Sequence, residues 1–119
     1  MSEKPLVVIV EDNTDVLELT RTCLEDKYEV QTHTSYETAL PVPNALAYIL
    51  DYNNDHGING GQWLNIHGTQ IQPHQRILVS AIADNWNGTL GYQLAKPYHL
   101  SLLDELLTRI SIAQKRVQG

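Results

Sequence analysis

Leu6-Val7-Val8-Ile9-Val10-Glu11-Asp12-Asn13 is the stretch that decides the fold. Five apolar residues, four of them β-branched, stand in a row without alternation and stop abruptly at two acids. An unalternated run of this kind suits a strand buried on both faces, as in a parallel sheet. Asn13 or Thr14 can cap a following helix, with Asp15 and Glu18 placed for its N-terminal dipole. Val16, Leu19, Thr20, Cys23 and Leu24 follow the helical spacing of one apolar stripe, so Cys23 is expected in the core.

Working outward, the same pattern recurs. Tyr28–Thr32 reads as a second strand. Tyr36–Leu40 has room for barely one helical turn before Pro41 and Pro43 stop it. Leu46–Leu50 is a third strand, again ending in an acid, Asp51. Gln62–His67 reads as a short helix with Trp63 as its core anchor, Arg76–Ser80 as a fourth strand and Tyr92–Ala95 as a fifth, closed by Lys96-Pro97. Ala81–Gly91 is rich in Asn, Asp and Gly and is expected to be a mobile loop or at most one turn. Leu103, Leu106, Leu107 and Ile110 define a closing helix. Apolar strands separated by helices or loops imply an α/β protein with helices on both faces of a parallel sheet.

The 119 residues suit a single domain spanning 1–119, large enough to fold without a disulfide. Eight basic against fourteen acidic residues give a net charge of −6, which disfavours a nucleic-acid function. The lone cysteine excludes an internal disulfide and a multi-cysteine zinc site. The five histidines show no metal-ligand spacing and read as surface or loop residues. No apolar run is long enough to span a bilayer, so no membrane role is expected and a cytoplasmic setting is.

Ligands of open α/β sheets bind beyond the carboxyl ends of the strands. Glu11 and Asp12 end the first strand, Asp51 the third, Ser80 the fourth and Lys96 the fifth. Clustered carboxylates repel one another unless a cation sits among them, and hard oxygen ligands suit Mg²⁺. A carboxylate can also attack phosphorus, and the transferring phosphoryl group then needs positive charge and donors around it.

The residues Val7–Asn13, Tyr48–Asp51, Ile77–Ala81 and Lys96-Pro97-Tyr98 together resemble the receiver domain of two-component response regulators, over Leu6 to about Ile110. The resemblance implies a flavodoxin-like three-layer sandwich with a five-stranded parallel sheet of order 2-1-3-4-5, the fourth helix reduced or absent. It implies Asp51 as phosphoacceptor, and Mg²⁺ held by Asp12, Asp51 and the Asn53 main-chain carbonyl, with Glu11 acting through water. Ser80 is then the switch hydroxyl, Ala81 its small neighbour and Lys96 the counter-charge, beside a cis Lys96–Pro97 bond. The implied partners are a sensor histidine kinase or histidine phosphotransfer protein and a downstream protein the sequence does not name.

Departures from the pattern accompany these matches. Gln93 stands at the usual aromatic switch position, with Tyr92 on the opposite face. The Ser80-to-Lys96 interval is short, Asp55 replaces a frequent proline, and Gly60 or Gly61 comes about one position late. Trp86 either covers the shortened fourth-helix region or faces a partner. The expected function is a phospho-accepting signalling domain rather than a turnover enzyme. The alternative is a pseudo-receiver, an interaction module that keeps the fold without using phosphorylation. A phosphatase with an aspartate nucleophile would want a second acid two positions on, where Asn53 stands.

Overall fold

The computed structural model describes residues 4–54, 57–81, 86 and 90–118, with side chains as far as 115. The strands are β1 (Leu6–Val10), β2 (Glu29–His33), β3 (Ala45–Asp51), β4 (Arg76–Ser80) and β5 (Tyr92–Ala95). The α-helices among the described residues are α1 (Thr14–Leu24), α2 (Gly60–His67) and α3 (Leu100–Gln118). All neighbouring strands pair in parallel, in the order β2-β1-β3-β4-β5, as expected.

Every residue of β3 is buried, as a central strand covered on both faces requires. Side chains alternate across the sheet and feed two cores. Val7, Ile9, Ala47, Ile49, Ile77, Val79 and Leu94 pack under α1 and α3. Val8, Val10, Tyr48, Leu50 and Leu78 face Trp63 and Leu64 of α2, together with Tyr36 and Trp86. No helix forms between β2 and β3: the chain turns through Tyr36–Ala39, and Asn44 enters β3 with φ 67°, a conformation asparagine tolerates. The rings of Tyr36 and Trp63 pack together on this side, their centroids 5.7 Å apart.

Asn13 caps α1, its side chain accepting from the Asp15 and Val16 N–H groups at 3.0 and 3.2 Å. The buried face of α1 differs from the expected stripe. Leu17, Thr20 and Leu24 face inward, Val16 is half-buried, Leu19 is 58% exposed, and Cys23 is exposed rather than in the core. The helix is rotated by about one residue, and the buried Thr20 hydroxyl is satisfied by Tyr98 Oη at 3.2 Å. Asn59 caps α2 through a reciprocal pair with Gln62, starting the helix two residues earlier than expected. On α3, Leu103, Leu106, Leu107 and Ile110 are buried as anticipated, and Leu102 lies at the surface.

Asp55, His56, and residues 82–85 and 87–89 of the Ala81–Gly91 segment lie outside the described residues, and with them the expectation of a mobile loop there. Trp86 is buried, its indole N–H donating to the Val79 carbonyl at 2.9 Å, so it covers the core rather than facing outward. Among the described residues no helix is long and apolar enough to cross a membrane.

Candidate functional site

β1 and β3 lie side by side, so their ends bring Glu11, Asp12 and Asp51 together. One carboxylate oxygen from each lies within 4.8 Å of the others. Glu11 and Asp51 are buried, at 3% and 4% exposure, and Asp12 is half-buried. Lys96 reaches in from the end of β5, its Nζ 2.7 Å from both Glu11 Oε1 and Asp51 Oδ2. Its N–H donates to the Ser80 carbonyl at 2.9 Å, which registers the end of β5 against β4. The Lys96–Pro97 bond is cis, as the resemblance implied.

Burial is the largest influence on Glu11 and lifts its carboxyl from 4.5 to about 7. The Lys96 hydrogen bond opposes this, the Asp51 carboxylate adds to it, and the Asn13 N–H, donating to Oε2 at 3.1 Å, opposes it. For Lys96, burial lowers the ammonium pKa, but Asp51 and Glu11 together outweigh burial and leave it raised. Three carboxyl groups facing one ammonium form an oxygen-rich, electron-rich set, and this donor chemistry fits a hard divalent cation such as Mg²⁺.

Ser80 is buried at the end of β4, and Ala81 follows it at the surface. Asn53 lies in the exposed stretch after β3, so it has the sequence position required of it, and its role rests on the resemblance. Gln93 is exposed, while Tyr92 packs with the α1 and α3 core. Beside the acids, a groove of about 670 Å³ runs between Val16, Leu19 and Thr20 of α1 and the Lys96–Leu100 connection.

Other residues at the site escape sequence reasoning. The Tyr36 hydroxyl donates to the Asp51 main-chain carbonyl at 2.5 Å. The Val79 carbonyl, one residue before Ser80, accepts from both Tyr52 N–H at 2.8 Å and Trp86 Nε1 at 2.9 Å. The Trp86 ring meets Tyr52 edge-on, with centroids 5.1 Å apart. Nothing local in the sequence marks Tyr36, which lies in a stretch legible only as an aborted helix.

No protein-family model matches the sequence, and no curated protein matches it. Solved structures do match, along nearly the whole chain. A response regulator receiver domain protein from Clostridium thermocellum is 20% identical with a TM-score of 0.79, covering 97% of this chain and 99% of that one. A CheY-like receiver domain protein from Methanospirillum hungatei is 22% identical with a TM-score of 0.77, over the same shares of the two chains. The response regulator TrrA from Thermotoga maritima, solved in complex with Mg²⁺-BeF, is 22% identical with a TM-score of 0.75, covering 89% of this chain and 98% of that one. With its 2-1-3-4-5 sheet and acids at the ends of β1 and β3, the chain has the fold of response regulator receiver domains.

Proposed function

We propose that residues 1–119 form one phospho-accepting receiver domain of a two-component system, with Asp51 as the acceptor. The observation that carries this reading is the acid cluster of Glu11, Asp12 and Asp51 with Lys96 Nζ 2.7 Å from Asp51 Oδ2. The phosphodonor is a phosphohistidine on a sensor histidine kinase or a histidine phosphotransfer protein. An Asp51 carboxylate oxygen attacks phosphorus, an O–P bond forms and the P–N bond breaks. The imidazole nitrogen keeps the bonding electron pair and takes a proton. Lys96 acts as the counter-charge, and the Ser80 hydroxyl as the donor to the phosphoryl group once it is on Asp51. Asp12, Asp51 and the Asn53 carbonyl would hold Mg²⁺, with Glu11 acting through water. When bound, the ion supplies positive charge against the phosphoryl oxygens. The domain signals through altered contacts with a downstream protein, and beyond taking up and losing its own phosphoryl group it does not turn over substrate.

A second reading is a pseudo-receiver that binds partners without phosphorylation. One observation favours it: Gln93 is exposed where the family carries its aromatic switch. Incubation with Mg²⁺ and acetyl phosphate, followed by intact mass, separates the two. The receiver reading expects one phosphoryl adduct that is lost in Asp51→Ala and without Mg²⁺. No adduct with any small phosphodonor selects the pseudo-receiver.

A further inference from the structure

β3 stops pairing with β1 at Leu50, the partner of Val10, but continues along β4 to Asp51, the partner of Val79. The Tyr52 N–H then donates to the Val79 carbonyl, so it faces β4. The two ends of a trans peptide point in opposite directions. The Asp51 carbonyl therefore faces the β1 side, where the ladder has already ended. A buried carbonyl left without a donor is destabilising, because it has lost its hydrogen bond to water. The Tyr36 hydroxyl supplies the donor at 2.5 Å, at the short end of the O–H···O range.

Tyr36 is 2% exposed and is held from several sides. Its ring packs on Trp63. Gly60, at the first position of α2, lets the phenol approach: a Cβ there would lie 2.7 Å from the Tyr36 oxygen and 2.4 Å from Trp86 Cη2.

We infer that Tyr36 is a positioning residue for Asp51. Holding the Asp51 carbonyl fixes the last peptide of β3, and with it the direction in which the Asp51 carboxylate leaves the strand toward Lys96. The effect on phosphoryl-transfer rate rests on the reading of Asp51 as acceptor; the effect on the carboxylate itself does not.

Tyr36→Phe keeps the ring and removes only the hydroxyl. Tyr48→Phe is the control. Tyr48 is buried in the same core, and its hydroxyl bonds the Val42 N–H and carbonyl at 2.8 and 3.0 Å. Gly60→Ala retains the Tyr36 hydroxyl but crowds it. Two quantities are read in each: the ¹³C signal of the Asp51 carboxyl in metal-free protein, assigned with Asp51→Asn, and the rate of adduct formation with Mg²⁺ and acetyl phosphate. Both are read at a temperature where every variant is folded. Tyr36→Phe should move the carboxyl signal and slow adduct formation about tenfold, since small misplacements of reacting groups are costly. Gly60→Ala should act in the same direction. Tyr48→Phe should lower stability yet leave both quantities at their wild-type values. A carboxyl signal unmoved in Tyr36→Phe, or moved as far in Tyr48→Phe, overturns the inference. Absence of any adduct in the wild-type protein sinks the acceptor reading, and the carboxyl signal still decides for Tyr36.

Discussion

Glu11 lies buried between Lys96 and Asp51, with its carboxyl lifted from 4.5 to about 7, first of all by burial. Between those two values the folded state holds a proton that the unfolded state has released. Its contribution to stability is therefore complete below about pH 4.5 and is lost as pH rises through about 7. The loss is on the order of a few kcal/mol. Unfolding midpoints of metal-free protein, taken from pH 5 to 8, should fall for the wild type more steeply than for Glu11→Gln; parallel curves would contradict this. Asp12 makes a different prediction. Asp12→Ala should raise the stability of the metal-free protein by relieving like-charge repulsion. It should also shrink the increase in melting temperature that Mg²⁺ produces by binding the folded state. An Mg²⁺-induced shift as large as in the wild type would mean that the ion binds elsewhere.

At the scale of elements, α1 shows where sequence periodicity falls short. Two neighbouring stripes are available, the expected one through Val16, Leu19, Thr20, Cys23 and Leu24 and one that takes Leu17 in place of Leu19 and Cys23; contact with the sheet and α3 selects the second. Leu17→Ala should cost about 2–5 kcal/mol, as a buried truncation does. Leu19→Ala should change stability by less than about 0.5 kcal/mol. Urea midpoints of the two variants check this, and equal losses would restore the first stripe. Cys23 should also react with a thiol reagent in the folded protein at a rate insensitive to conditions that suppress unfolding.

Across the whole molecule, the strands and the five polar residues at four of their ends were legible because each rests on a local signal. Unalternated apolar runs give β1, β3 and β4, and an abrupt acid or lysine ends β1, β3 and β5. The missing helix between β2 and β3 was legible in Pro41 and Pro43. The support beneath the site was not. Tyr36 and Trp86 are far apart in sequence and are brought to the same place beside Gly60, from a third segment, which leaves space for both. Such a meeting has no period and no motif. The sheet order came through the resemblance rather than through periodicity, because strand pairing is a property of the assembled chain.

The most direct measurement locates the phosphoryl group chemically. Protein incubated with Mg²⁺ and acetyl phosphate is treated with borohydride, which reduces an acyl phosphate but spares a free carboxylate, and the peptides are then mapped by mass. The account predicts reduction at Asp51 alone, dependent on Mg²⁺ and strongly diminished in Lys96→Ala. Reduction at Asp12 or at another carboxylate, or an adduct on serine or histidine that borohydride leaves intact, would contradict it.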